Sequence, residues 1–134
     1  MMTRSVFRVI IAGSRGFNDY ATLQATCDNI LSQKRMTHTI VIISGTAKGA
    51  DSLGEQYASE RGYAVERFPA DWQQYGKAAG PIRNRLMADN ADALIAFWDG
   101  HSTGAKDMIT EAKKKGMAVR IYNTKWRIRH LLSM

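Results

Sequence analysis

Short apolar runs that alternate with segments of helical periodicity constrain the fold of this chain more than any other feature. The runs span residues 6–12, 39–43, 64–68, 91–98 and 117–122. The first two are rich in β-branched side chains and are apolar at odd and even positions alike, as in strands buried on both faces. The gaps carry apolar residues at helical spacing, such as Leu23, Cys27 and Leu31 in the first gap. The pattern therefore predicts strands and helices in alternation.

This alternation predicts the architecture of the sheet, because successive strands joined by a helix pair in parallel through right-handed crossovers. We predict an α/β fold, a Rossmann-like three-layer sandwich with a central five-stranded parallel sheet of order 3-2-1-4-5. The 134 residues suit a single domain. Since the chain reverses direction between strands 1 and 4, a ligand is expected outside the carboxyl ends of the strands near that point. In the helix before the fourth strand we expect Pro81 in the first turn and Ile82, Leu86 and Met87 facing inward.

Composition excludes several classes of protein. Cys27 is the only cysteine, which excludes an internal disulfide framework and a Cys-rich metal site. His38, His101 and His130 lack the spacing of metal ligands, so we expect neither a metal nor a cofactor. No apolar run approaches the ~18 residues that span a bilayer, and the N-terminus lacks the features of a signal peptide. We therefore expect a cytoplasmic protein without a membrane partner.

The net charge of +7 favours anionic partners. Much of the excess lies in Lys113, Lys114 and Lys115 and in a basic tail at about residues 123–134. Two interpretations remain open: a solvated helix end with a basic terminus, or a footprint for nucleic acid. No aromatic residues are interleaved with these charges, as stacking on single strands would require.

The segment after the second strand is the first candidate for a binding loop. It reads Ser44, Gly45, Thr46, Ala47, Lys48, Gly49, Ala50 and Asp51. Small residues before a helix let backbone N–H groups approach a phosphate, although the same glycines also suit a tight turn alone. The segment is neither a Walker A motif nor a dinucleotide fingerprint. Asp51 can stabilise the helix dipole, or it can hydrogen-bond a ribose or a neighbouring loop.

Other polar residues are expected at the same edge of the sheet. Gly13, Ser14 and Arg15 follow the first strand, and an arginine there can clamp a phosphate or remain a surface charge. Trp72 can stack on a base or cover the sheet edge. No serine lies in a nucleophile elbow, which argues against a hydrolase triad.

Five motifs in order resemble the YspA-like branch of the SLOG superfamily, over about residues 7–122. They are residues 13–19, 44–51, 70–72, 79–87 and 96–104. The resemblance implies a Rossmann-like domain that binds nucleotides or nucleotide-derived ligands. It also implies kinship with the LOG phosphoribohydrolases, which split nucleoside monophosphates at the N-glycosidic bond, and with the DNA-processing protein DprA. A homodimer is expected by resemblance alone.

Only some of the functional residues of the phosphoribohydrolases have counterparts in this chain. Arg83 and Met87 match their helix motif, which implies that Arg83 faces the ligand. Met108 occupies the position of their catalytic glutamate, and Asp107 is expected about 100° away round the helix. Asp99 is then the better local carboxylate. Two further departures are Thr46 in place of a glycine and Ala105 in place of a threonine.

These observations predict a binding or sensor domain for a nucleotide or nucleotide-derived phosphate ligand. The alternatives are a phosphoribohydrolase that uses Asp99, Asp71 or Asp107, and a DprA-like DNA-associated module. For catalysis the candidates are Arg83 and Asp99. The candidate ligand-binding residues are Gly13, Ser14, Arg15, Ser44, Gly45, Thr46, Ala47, Gly49, Ala50, Asp51, Asp71, Trp72, Arg83, Asn84, Asp99, Ser102, Thr103 and Gly104.

Overall fold

The computed structural model describes residues 4–124 and contains one five-stranded parallel sheet. The strands are β1 (Ser5–Gly13), β2 (His38–Ser44), β3 (Ala64–Arg67), β4 (Ala93–Trp98) and β5 (Ala118–Asn123). The helices are α1 (Tyr20–Leu31), α2 (Lys34–Thr37), α3 (Ala50–Arg61), α4 (Trp72–Tyr75), α5 (Ala79–Asp89) and α6 (Thr103–Lys114), with a 3₁₀ turn at Gly76–Ala78. The sheet order β3-β2-β1-β4-β5 confirms the predicted Rossmann-like α/β fold.

From Val9 to Ala12 the central strand β1 is buried on both faces, as its apolar run predicts. Val9 and Ile11 pack with α1 and α3, in a cluster that includes Leu23, Cys27 and Tyr57. On the opposite face, residues of the other parity pack with Met87 of α5 and Met108 of α6. The core therefore has two halves separated by the sheet, and the loops at its carboxyl edge are supported from both sides.

Helix boundaries agree with the residues that can satisfy free backbone groups. Asp19 caps α1, because its carboxylate accepts a hydrogen bond from the Thr22 N–H at 3.1 Å. Gly62 ends α3 in the left-handed conformation, with φ 73°, as expected for a glycine after a helix.

The inner face of α5 differs from the prediction. The helix begins at Ala79, two residues before Pro81. Leu86 is 50% exposed, whereas Asn84 is only 5% exposed and lies on the buried face with Met87 and Ala88. The prediction of an inward Leu86 was therefore wrong. A polar residue occupies the inward position because it has hydrogen-bond partners on α6, which hydrophobic periodicity cannot register.

The remaining differences lie at the ends of the chain and in the connections. The connection between β3 and α5 contains α4 and the 3₁₀ turn. Most of the predicted basic tail lies outside the described residues, since the description ends at residue 124. No helix within residues 4–124 is long and apolar enough to cross a membrane.

Candidate functional site

A cavity of about 680 Å³ opens at the carboxyl edge of the sheet, beside the ends of the neighbouring strands β1 and β4. Its walls come from the loops after β1, β2 and β4 and from α5 and α6. The lining residues are Ala12, Gly13, Arg15, Gly16, Ala47, Asp51, Trp72, Lys77, Gly80, Pro81, Arg83, Asn84, Met87, Ser102, Thr103, Gly104, Ala105, Asp107 and Met108. The cavity therefore lies where the strand order predicts a ligand site.

Ser14 joins three parts of this edge but does not line the cavity. Its N–H donates to the Phe97 carbonyl at 2.9 Å, and its carbonyl accepts from the N–H groups of Phe17 and Ala50. Its hydroxyl oxygen accepts a hydrogen bond from the Asp99 N–H at 3.0 Å. With 3% exposure and these contacts, Ser14 fixes the loop after β1 to the loop after β4 and to the start of α3.

The glycine-rich loop after β2 uses many of its own donors. The Thr46 N–H donates to the Ser44 hydroxyl at 3.0 Å, and the Ala47 N–H donates to the Asp51 carboxylate at 3.1 Å. The Ala50 N–H is taken by Ser14. The Ser44 hydroxyl donates to Glu55 at 2.6 Å, which turns it away from any ligand. Three backbone N–H groups of the loop, those of Thr46, Ala47 and Ala50, are thus engaged within the protein.

Two glycines of this loop are required for space. Gly49 has φ 75°, and a side chain there would meet the backbone carbonyls of Ser14 and Arg15. A Cβ on Gly45 would lie 2.7 Å from the Asp51 carboxylate and 2.9 Å from the Arg83 guanidinium. The absence of a side chain at Gly45 therefore lets Asp51 and Arg83 converge beside the loop.

Asp51 and Arg83 form an electrostatically coupled pair under the loop. Burial raises the pKa of Asp51, while the Ala47 N–H and the Arg83 guanidinium partly oppose that rise. Burial lowers the pKa of Arg83, and nearby Arg15 adds to the effect while Asp51 opposes it. Arg15 and Arg83 therefore place positive charge at the cavity. The partly desolvated Asp51 carboxylate does not fully balance this charge.

Arg83, Asn84 and Asp107 form a chain of hydrogen bonds across the cavity wall. The Arg83 guanidinium donates through Nη1 to the Gly45 carbonyl and through Nε to Asn84 Oδ1 at 3.0 Å. Asn84 Nδ2 donates to Asp107 at 2.9 Å and to the Gly104 carbonyl at 3.3 Å. Two of the five guanidinium N–H groups of Arg83 are used in this way, which leaves three for a ligand.

The loop after β4 is fixed by Asp99. Its carboxylate accepts hydrogen bonds from the N–H groups of His101 and Ser102, both at 2.8 Å, and from the Ser102 hydroxyl. The Ser102 N–H and the other donors lower the pKa of Asp99 to about 2. The carboxylate is therefore committed to the loop, and Asp99 does not line the cavity.

The beginning of α6 has open donors. The Ser102 hydroxyl contacts Asp99 and does not cap the helix, and the first turn carries no acidic residue. The first helical hydrogen bond runs from the Lys106 N–H to the Ser102 carbonyl, so the N–H groups of residues 103–105 precede it. Thr103, Gly104 and Ala105 all line the cavity. This helix end can hold an anion.

The cavity brings together ten of the predicted ligand-binding residues and leaves out eight. Those that line it are Gly13, Arg15, Ala47, Asp51, Trp72, Arg83, Asn84, Ser102, Thr103 and Gly104. Those that do not are Ser14, Ser44, Gly45, Thr46, Gly49, Ala50, Asp71 and Asp99. Asp71 instead caps α4 through a hydrogen bond from the Gln74 N–H.

Lys77 and Asp107 line the cavity although the sequence interpretation did not select them as ligand-binding residues. Asp107 was expected to point away from the position of Met108, yet both face the cavity, because the small Gly104 and Ala105 leave a wide face of α6 uncovered. A signal existed in the sequence: Gly104 and Asp107 are three residues apart and share a helix face. Lys77 is an isolated lysine, and no feature of the sequence around it indicates a role in the cavity. Within residues 4–124, no group of three His, Cys, Asp or Glu side chains is arranged to hold a metal ion.

Two solved structures share the fold of this chain. DprA from Streptococcus pneumoniae superposes with a TM-score of 0.66 at 19% identity, over 87% of this chain and 50% of the DprA chain. The chain thus spans about half the length of DprA. The protein TM1055 superposes with a TM-score of 0.57 at 20% identity, over 87% of this chain and 72% of TM1055. At these identities the similarity shows the fold alone.

Sequence comparison is more specific. The chain is 35% identical to the Gene 61 protein of Mycobacterium phage D29 over 119 residues, which cover 84% of this chain and 93% of that protein. The model of the YspA, cpYpsA-related SLOG family matches residues 7–75. The chain therefore belongs to the YspA, cpYpsA-related SLOG family.

Proposed function

We propose that this domain binds a nucleotide or nucleotide-derived phosphate ligand in the cavity, as a sensor or ligand-binding domain. The observation that carries the proposal is the open N-terminus of α6, which faces a cavity lined by Arg15, Lys77 and Arg83. Membership of the SLOG family supports a nucleotide-related or DNA-associated role. No cofactor is required for this function.

The electrostatics of the cavity favour an anion. Three cationic side chains line it, against two carboxylates, Asp51 and Asp107. Asp51 is buried and engaged with the Ala47 N–H, so it balances little of this charge toward the cavity. A phosphate at the start of α6 would accept hydrogen bonds from backbone N–H groups and from Arg83, whose remaining donors suit phosphate oxygens.

The shape of the cavity accommodates more than a phosphate. Its volume of about 680 Å³ lies within the range of small-molecule pockets, roughly 300–1,000 Å³. Trp72 is 52% exposed and lines the rim, where an indole can stack on a base. The floor is apolar, with Met87 and Met108. A phosphate, a sugar and a base together match these three surfaces.

Calorimetric titration with the mono-, di- and triphosphates of adenosine, guanosine, cytidine and uridine tests the proposal. We expect saturable binding of at least one of them and about a tenfold loss of affinity in Arg83→Gln. Arg85→Gln is the matched control, because Arg85 is exposed on the same helix and does not line the cavity. Absence of binding across the panel, or equal losses in both folded variants, would contradict the proposal.

Asp107 favours a second candidate function, hydrolysis of a nucleoside monophosphate at its N-glycosidic bond. Of the three carboxylates considered for this reaction, Asp107 lines the cavity, whereas Asp71 and Asp99 hold α4 and the loop after β4. Release of free base from a nucleoside monophosphate, abolished in Asp107→Asn, would support this function. Stable binding of the same compound without base release would favour the sensor.

A DNA-associated role rests on the charge of +7 and on the family. The described part of the basic run contributes little to it, because Lys114 and Lys115 form ion pairs with Glu111 and Asp89. DNA binding would weaken steeply with salt. Mobility-shift assays at low salt that show no complex would exclude this role.

A further inference from the structure

Asp107 differs from the other carboxylate that lines the cavity. Asp51 is 5% exposed and accepts a hydrogen bond from the Ala47 N–H through Oδ2. Asp107 is partly exposed, and its Oδ2 accepts one hydrogen bond, from Asn84 Nδ2. Its Oδ1 accepts none from any group within residues 4–124. Asp107 therefore keeps one carboxylate oxygen for a ligand.

Asn84 holds this carboxylate in place, and both of its N–H donors are engaged within the protein. Its Oδ1 accepts from Arg83, and its Nδ2 donates both to Asp107 and to the Gly104 carbonyl. These three contacts determine which way the amide is turned, since only the NH₂ group can donate to two oxygens. Because Asn84 is buried and one of its N–H donors contacts Asp107, it orients the Asp107 carboxylate.

The charge of Asp107 restricts what can lie beside it. A second anionic group there would be repelled, whereas a hydroxyl group can donate a hydrogen bond to the open oxygen. Asp107 lies three residues after Gly104 on the same helix face, within about 5–6 Å of the end that can hold a phosphate. A ligand that matches both features would carry an anionic group and, a few ångströms away, a neutral hydroxyl donor.

We infer that Asp107 accepts a hydrogen bond from a ribose hydroxyl, so that the cavity selects ribonucleotides over deoxyribonucleotides. This inference rests on the proposed function, because it assigns the sugar of the same ligand. It makes Asp107 a specificity-determining residue that the buried Asn84 positions. Selection arises because a deoxy analogue leaves the Asp107 oxygen without its donor in a partly desolvated site.

The test is calorimetric titration of the protein with the four ribonucleoside 5′-monophosphates and with their 2′-deoxy and 3′-deoxy analogues. We expect the wild type to bind ribonucleotides about tenfold or more tightly than at least one deoxy series. Asp107→Ala should reduce that preference to within about twofold without weakening the deoxy series. Glu111→Gln, which removes an acidic charge from α6 outside the cavity, should retain the full preference.

Asp107→Asn covers the case in which the alanine variant fails to fold, because it keeps the shape of the side chain. Its neutral oxygen accepts more weakly than a carboxylate, so the preference should fall by about threefold or more. Equal binding of ribo and both deoxy series by the wild type, or an unchanged preference in the Asp107 variants, overturns the inference and leaves the proposed function standing. Absence of binding by every nucleotide overturns both.

Discussion

The two helices that begin beside the cavity, α3 and α6, differ in the partner of their first N–H group and in the charge of their first turn. At α3 the Ala50 N–H donates to Ser14, the adjoining Ala47 N–H donates to Asp51, and Asp51 places a negative charge in the first turn. Neither helix has a side-chain cap, and the first turn of α6 carries no acidic residue. Its supporting carboxylate, Asp99, holds the preceding loop instead.

This difference teaches that a glycine-rich loop is not by itself an anion site. The glycines after β2 provide room for Asp51 and Arg83 and for the close approach of the loop after β1. The loop after β4 is held rigid by one aspartate, which leaves the helix behind it free to bind. In the proposed function the first region serves mainly as a wall of the cavity, and the second would provide its anion-binding end.

The largest expected effect is on stability and concerns the loop after β2, which forms a wall of the cavity. Gly49→Ala should lower the free energy of unfolding by more than about 3 kcal/mol, because φ 75° with ψ −125° suits glycine alone and a Cβ would meet two backbone carbonyls. Gly62→Ala at the other end of α3 is the control, with φ 73° and open space around it, and should cost only about 1 kcal/mol. Urea unfolding measures both. Equal losses would show that the contacts of Gly49 do not hold the loop.

The next effect tests which helix end binds the ligand. Thr103→Glu should stabilise α6 by about 0.3–1 kcal/mol and yet weaken nucleotide binding about tenfold or more, since the carboxylate competes with the phosphate. Ser52→Glu places the same charge in the first turn of α3, outside the cavity, and should leave affinity within about twofold. Thermal unfolding and calorimetry report the two quantities. The opposite pattern of affinities would return the anion site to α3.

A third prediction concerns the aspartate that fixes the loop after β4. Its folded pKa of about 2 lies below the ordinary value of about 3.9, so its charge stabilises the fold above about pH 4 and ceases to do so as the pH falls toward 2. Asp99→Asn should therefore lower the free energy of unfolding by about 1–2 kcal/mol at pH 6, after allowance for partial exposure. The difference from wild type should shrink between pH 4 and pH 2. Unfolding curves across this range would contradict the prediction if the difference stayed constant.

The smallest effect concerns Thr46, which has φ 64° although it is β-branched. Such a residue is strained in the left-handed region by about 1–2 kcal/mol, and glycine removes the strain at an entropic cost of about 0.5–1 kcal/mol. Thr46→Gly should therefore stabilise the fold by up to about 1 kcal/mol. Thr46→Ala keeps a Cβ in the same conformation and should gain less than glycine. A loss of stability in the glycine variant would show that the threonine side chain supports the loop.

Much of the fold could be predicted from the sequence, because it depends on the local pattern of apolar residues. The apolar runs in β1 and β2 favour burial on both faces, and the helical segments between successive strands favour parallel crossovers. The exposure of Leu86 could not be predicted from such a pattern. The hydrogen-bond partners of the inward Asn84 lie on a helix about 20 residues later in the chain.

Only some of the site residues could be predicted from the sequence, for a related reason. Glycine-rich segments, Arg15 and Arg83 were recognisable by type, and Trp72 by its place in the connection before α5. The same residue types do not reveal whether a backbone donor or a carboxylate is already used. Ser44, Asp71 and Asp99 are all polar residues at the expected edge, yet each is engaged in holding its own loop or helix.

The sequence by itself determined the order of strands, the edge of the sheet where a ligand can lie, and the small residues that crowd that edge. Those properties follow from periodicity and from the chirality of the chain, which act over a few residues at a time. Only the tertiary structure decided that Ser14 uses the first N–H group of α3 while those of residues 103–105 precede the first helical bond of α6, and that Asp107 rather than Asp99 lines the cavity. The physical reason is that a hydrogen-bonding group can be used only once, and its partner is chosen by long-range packing.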